Sequence, residues 1–255
     1  MDFARVAEAT QGVPHMDAEH GRRLFDHLRS AGAKHVLEIG TAHGVSAAYM
    51  SAAVAPNGGM VTTLDHVSAR NDPSASEVLR RTGVTNVTLV AVEDSSYNWW
   101  LKKQIEAATD ESGNCEPMYD FCYLDGAHNW TIDGFAVVLV EKLLRPGGWL
   151  LLDDLNWAYG RYAGPYGPGQ GPADLRLSSD EQAVPHMQAV FDLIVKQHPS
   201  FTELRVEDGS WGWAHKAPGR ARRYDVTSTR SLRAVALARL LRLRQRLMGH
   251  VEKTT

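Results

Sequence analysis

The chain has 255 residues, of which 44% are hydrophobic and 22% charged, with a formal net charge of −3, enough material for one full-sized core or two modest ones. No apolar run reaches the roughly 18 residues of a membrane span, and Met1 to Thr10 has neither the basic region nor the apolar stretch of a secretory signal, so a cytoplasmic protein is expected. Residues 217–255 hold ten Lys/Arg against two Asp/Glu, leaving 17 against 28 in the rest; an acidic body argues against nucleic acid across the main face, because such binding draws its affinity from neutralised phosphates.

In chain order, residues 1–15 suggest a short helix and the turn Gly12-Val-Pro14. From Met16 to Ala31, Leu24, Phe25 and Leu28 recur at helical spacing, and Gly32 supplies a stop. Val36 to Ile39 is a short apolar run broken by Glu38. It leads at once into Gly40-x-x-x-Gly44 and a small-residue helix over Ala47 to Ala55. A buried strand ending in a glycine turn and opening into a helix is the first βα unit of a nucleotide-binding sheet. The free amides after Gly44 suit a carboxylate or a phosphate. The dinucleotide fingerprint would require glycine at positions 42 and 45, where this chain has Ala42 and Val45, so an NAD site is disfavoured.

Pro56 to Gly59 closes that helix, and Met60 to Leu64 forms the second strand, ending in Asp65. An acid about 20 residues past the glycine turn can accept both hydroxyls of an adenosine ribose; the alternative is a solvated strand-end acid. Asp72-Pro73 is expected to cap a helix that Gly83 ends, and Val84 to Val92 alternates as strand three. Its end, Glu93-Asp94-Ser95-Ser96, precedes a helix over Asn98 to Ala108 whose Trp99 and Trp100 read either as a pocket wall or as core. After the polar loop Thr109 to Pro117, strand four spans Tyr119 to Leu124 and ends in Asp125-Gly-Ala-His128-Asn-Trp130. A helix over 131–144 is expected to stop at Arg145-Pro-Gly-Gly148. Trp149 to Leu152 then leads into Asp153-Asp154-Leu-Asn156.

Steady alternation of strand and helix requires parallel strands with right-handed crossovers, so these acidic ends share one sheet edge, where ligands bind. Residues 157–173 are dense in Gly, Pro and Tyr; beside that edge they read as a substrate lid extending to about 179. A helix over 180–197 is followed by Phe201 to Val206 and Gly212 to Lys216, a hairpin across Asp208-Gly209. The domain is thus expected to span 1–216, with a basic helical extension over 217–255. Its Leu/Arg helix, Ser228 to Gly249, reads first as an oligomer contact, and a membrane surface or RNA is the sharper alternative. Cys115 and Cys122 show no metal-ligand or CxxC spacing and read as reduced, structural residues.

If strands four and five are neighbours, their ends lie about 4.8 Å apart, and Asp125, Asp153 and Asp154 converge. Three carboxylates that close repel one another unless protonated or neutralised, and oxygen ligands suit Mg²⁺ or Ca²⁺. Such an ion would orient a substrate hydroxyl and lower its pKa. His128, three residues past Asp125, is a candidate general base, weighed against a plain surface histidine; His43 and His186 are weaker candidates.

Glu38-x-Gly40-x-x-x-Gly44 resembles the first motif of the class I S-adenosylmethionine (SAM) methyltransferases. Leu124-Asp125-Gly-Ala-His128 together with Leu152-Asp153-Asp154 is similar to the metal-dependent O-methyltransferases, above all the macrolide sugar group and more distantly catechol O-methyltransferase, which has Asn where this chain has Asp154. The match covers roughly residues 30–156. The resemblance implies a Rossmann-like α/β sheet of seven strands in the order 3-2-1-4-5-7-6, one of them antiparallel, with helices on both faces. It implies SAM contacts from Glu38, Gly40, Gly44, Ser46, Asp65 and Asp125, with Ser46 near the methionine carboxylate and Asp94 and Ser95 at the adenine. It also gives Mg²⁺ to Asp125, Asp153 and Asp154, and proton removal to His128. Methyl transfer to a hydroxyl of a small molecule, a sugar or natural-product intermediate, is the expected activity of a homodimer. Its rivals are a metal-independent N- or C-methyltransferase and a non-catalytic SAM-binding protein tethered by the basic tail.

Overall fold

The computed structural model describes residues 2–161 and 177–219. Its elements are α1 (Phe3–Ala9), α2 (Ala18–Ser30), β1 (His35–Ile39), α3 (Val45–Val54), β2 (Met60–His66), α4 (Ala75–Thr82), β3 (Val87–Val92), α5 (Tyr97–Ala107), β4 (Tyr119–Leu124), α6 (Trp130–Leu143), β5 (Leu144–Leu152), α7 (Ser179–Ala183), α8 (His186–Val190), β6 (Phe201–Glu207) and β7 (Trp211–Lys216). The strands form one sheet in the order β3-β2-β1-β4-β5-β7-β6. Strands β1 to β5 run parallel, and β7 is antiparallel to both neighbours, as the resemblance implies.

Because side chains alternate across a strand, a sheet covered on both faces has two cores. Leu37, Ile39, Cys122, Leu124, Leu150 and Leu152 face α6 and α8 through Val137, Val140, Met187 and Val190. Val36, Val61, Phe121, Tyr123 and Leu151 face α2 and α3 through Leu24, Leu28 and Met50. Helix α3 has no polar face: all ten of its residues are buried. Its alanines and serines let α2 and α4 come close on either side. Replacing the fully buried Leu28 of α2 by alanine is the kind of cavity-forming change that costs about 3 kcal/mol.

The structure departs from the expected elements at three places. Strand β5 begins at Leu144, not Trp149: Leu144 pairs with Tyr119 before a register irregularity, and the Arg145-Pro-Gly-Gly148 stretch lies within the strand with Gly147 left-handed at φ 82°. Helix α4 is capped by Ser74, whose side chain accepts from the Glu77 amide, not by Asp72. The helix expected over 180–197 is divided. Helix α7 ends at Ala183, Val184-Pro185 interrupts, α8 follows, and Phe191–Val195 forms a π-helical turn, because proline has no N–H for the helical ladder.

The centre of the expected lid and the basic 228–249 helix, with the homodimer contact expected of it, lie outside the described residues. Among the described residues no helix is long and apolar enough to cross a membrane. Both cysteines are free, and Cys122 is buried in the core.

Candidate active site

The tip of β1 is fixed from both sides: the Gly40 amide donates to the Leu64 carbonyl and the Asp125 amide to the Ile39 carbonyl, each at 2.9 Å. Gly40 has φ 99°, and a Cβ there would lie 1.7 Å from the Asp125 carbonyl oxygen. Only glycine lets the chain turn at this closeness. Gly44, with φ 76°, is the N-cap of α3 and provides no side-chain cap, so the first-turn amides are left for a ligand's anionic group.

Beneath this turn, the fully buried Glu38 accepts hydrogen bonds from the Ser46 and Thr63 hydroxyls. Burial pushes its carboxyl up to about 8, against the pull of those two hydroxyls. Glu38 and Ser46 therefore brace each other below the turn. Asp65 accepts from the Ala42 amide at 3.0 Å and the His66 amide at 2.8 Å. It borders a cavity of about 400 Å³ shared with His15, Gly40, Asp125, His128 and Asp154.

Across that cavity, His128 Nε2 lies 3.0 Å from Asp125 Oδ1 and 3.4 Å from Asp154 Oδ2. One donor atom from each of the three lies within 4.8 Å of the others, a grouping able to hold a metal ion. His128 and Asp154 both have left-handed backbones, φ 52° and 56°, which turn their side chains toward each other. Burial pushes the Asp125 carboxyl up, Asp153 adds to the rise and His128 opposes it. Asp154 is likewise raised by burial, with His128 opposing. Burial alone would lower His128, but the Asp125 hydrogen bond and the charges of Asp125, Asp154 and Asp133 prevail and lift it to about 9.

Asp153 occupies the expected position opposite Asp125 but stands apart from this group. The Tyr123 hydroxyl donates to its Oδ2 and the Asp154 amide to its Oδ1, the latter at 2.6 Å. The grouping within 4.8 Å thus joins Asp125 and Asp154 of the expected set to His128, while Asp153, its third member, borders the same cavity.

The loop carrying His128 is held by four elements. The Ala127 amide donates to the Tyr97 hydroxyl at 3.3 Å, and the Ala127 carbonyl accepts from Tyr159 at 2.7 Å. Tyr97 donates to Asp133, which also accepts from the Asn129 amide at 2.6 Å. The Trp130 amide donates to His186 Nδ1 at 3.1 Å, while His186 Nε2 donates to the Glu181 carbonyl at 2.7 Å, which fixes one neutral tautomer. His186 is therefore a buried anchor, and His43, bonded to the Pro73 carbonyl at 2.7 Å, braces the glycine turn. Sequence reasoning did not single out Tyr97, Asp133 or Tyr159. For Asp133 a signal existed: it sits in the first turn of a helix capped by Asn129.

Asp94 and Ser95 lie elsewhere. Asp94 pairs with Lys103 at 2.8 Å, Ser95 is exposed, and neither borders the cavity. Trp100 packs against the core, while Trp99 is half exposed beneath Lys102.

Sheet order, glycine turn and a carboxyl-edge cavity are those of the class I SAM-dependent methyltransferase fold. Residues 37–155 match the model of a family described as methyltransferase domain. Solved structures of the same fold include an O-methyltransferase from Bacillus cereus in complex with S-adenosylhomocysteine (SAH), 18% identical, covering 85% of this chain and 91% of that one, TM-score 0.58. SAH-bound PaMTH1 from Podospora anserina is 18% identical over 84% and 86%, TM-score 0.57. The O-methyltransferase TomG from Streptomyces achromogenes, involved in tomaymycin synthesis and bound to SAM, is 19% identical over 84% and 89%, TM-score 0.54. No curated protein matches the chain.

Proposed function

We propose that the chain transfers the methyl group of SAM to a hydroxyl oxygen of a small molecule, a sugar or natural-product intermediate, assisted by a divalent cation at the Asp125–Asp154 end of the cavity. The observation that carries this reading is the convergence of two carboxylates and an imidazole within 4.8 Å beside the glycine turn. Buried like charges require a counter-charge, and this donor set fits a cation. A bound divalent cation supplies Lewis acidity that lowers a hydroxyl's pKa.

The chain's own residues bind and orient. Gly40 admits the donor close to the backbone, the first-turn amides of α3 receive its carboxylate, and Asp65 accepts from its ribose hydroxyls. Asp125 and Asp154 hold the cation. His128, the base implied by the resemblance, keeps its proton at neutral pH while both carboxylates bear on it. A second reading, metal-independent N- or C-methylation, is favoured by that same ion pair, which offsets part of the carboxylate charge without an ion.

Incubation with SAM and a panel of hydroxylated acceptors, read by mass spectrometry for the gain of one methylene, separates the two. Activity lost in chelator and restored by a divalent ion supports the cation-assisted reading; activity indifferent to chelator rejects it. Failure to bind SAH in calorimetry removes both.

A further inference from the structure

Resting on the cation-assisted reading, we infer that His128 is a ligand of the cation and that the site therefore selects a first-row transition ion such as Mn²⁺ or Zn²⁺ over Mg²⁺. Nε2, the atom that would have to face an acceptor hydroxyl in order to act as a base, is aimed between Asp125 Oδ1 at 3.0 Å and Asp154 Oδ2 at 3.4 Å. Donors bound side by side to one ion at about 2.1 Å stand roughly 3 Å apart; the two separations from Nε2, 3.0 and 3.4 Å, are of that size, and all three donors lie within 4.8 Å of one another.

The oxygen donor that would complete a hard, all-carboxylate set lies outside the group formed by Asp125, His128 and Asp154. Asp153 is held by the Tyr123 hydroxyl and the Asp154 amide. Asp153 and Asp154 both border the cavity, but only Asp154 brings a carboxylate oxygen into the group with Asp125. The third donor of that group is His128. Its loop is pinned by Tyr97, Asp133, Tyr159 and His186, and its side chain remains 22% exposed to the cavity. Mg²⁺ prefers oxygen ligands in near-ideal octahedral arrangement and dehydrates reluctantly. Imidazole suits the later first-row ions, whose affinities rise along the series from Mn²⁺.

The test uses the full chain, stripped with chelator and saturated with SAH, and titrated separately with Mg²⁺, Mn²⁺ and Zn²⁺ by calorimetry. Pulsed electron paramagnetic resonance of the Mn²⁺-loaded protein reads nitrogen coupling. The expected result is Mn²⁺ and Zn²⁺ binding at least about tenfold tighter than Mg²⁺, with a coordinated-nitrogen signature. In His128→Gln that signature disappears and affinity for Mn²⁺ and Zn²⁺ falls roughly 10–100-fold, while Mg²⁺ affinity stays within about threefold. Mn²⁺ bound without nitrogen coupling, or equal losses for Mg²⁺ and Mn²⁺ in the variant, overturns the ligand assignment and leaves the cation-assisted reading intact. Binding of SAH with no uptake of any of the three ions overturns the cation-assisted reading itself. The nitrogen signal is read on the unmodified chain, so the test does not depend on the variant folding.

Discussion

On the β1–β2 side of the cavity each carboxylate has donors of its own: Glu38 takes the Ser46 and Thr63 hydroxyls, and Asp65 takes the Ala42 and His66 amides. On the β4–β5 side, Asp125 and Asp154 share one imidazole, and burial raises both carboxyls. The first half is complete without a ligand and is rigid for that reason. The second carries unrelieved like charge, which a cation would resolve. Two unlike halves thus sit at adjacent strand ends, one built from satisfied hydrogen bonds and the other from a charge imbalance.

The sharpest way to break this comparison is Gly40→Ala, which forces a Cβ to within 1.7 Å of the Asp125 carbonyl and drives the two halves apart. A loss of at least about 4 kcal/mol is expected, together with SAH binding. Denaturant unfolding measures it, and a variant of ordinary stability would show that the contact is soft.

Next is Glu38→Gln. Glu38 is raised from 4.5 to about 8, so between those values the folded chain keeps a proton that the unfolded chain has released, and stability falls as pH rises through that window. Removing the titration should make the variant gain on the unmodified chain by something on the order of 3 kcal/mol between pH 5 and 8. Parallel melting curves across pH would contradict this. His128, raised from 6.5 to about 9, gives the same sign: its contribution is complete below about 6.5 and lost as pH passes 9.

A cation should act on the other half alone. At about a hundred times its dissociation constant it adds about 2.7 kcal/mol, roughly 5–10 °C in melting temperature for a domain of this size. Chelator reverses the gain, and Asp154→Asn abolishes it. An identical shift in that variant would locate the ion elsewhere. The smallest effect belongs to Asp94→Asn: the exposed pair with Lys103 is worth under about 1 kcal/mol, and calorimetry should find SAH affinity changed less than about threefold if Asp94 stays with Lys103 and makes no adenine contact.

The sheet was legible because its punctuation is local. Glycine at 40, 44 and 83 and the short apolar runs between them mark where strands and helices end, and alternation then implies the parallel order. The errors came where one local signal can be read two ways. Pro146-Gly-Gly148 reads as a turn, and Gly147 is left-handed, yet the strand begins before it because Leu144 still finds Tyr119. The acids of the site were legible by position, since strand ends in a parallel sheet share an edge. Their directions were not: that Asp154 joins Asp125 and His128 while Asp153 bonds to Tyr123, 30 residues away, goes with a left-handed φ at Asp154. Tyr159 and His186 were hidden for the same reason, because what they hold is backbone distant in sequence.

Helix α3 has one further consequence. With ten successive residues out of water, the partial positive charge at its first turn is only weakly screened by mobile ions. An anionic group seated there is held by a field that raised ionic strength barely weakens, so the donor's grip should persist in brine that would dissolve a surface ion pair.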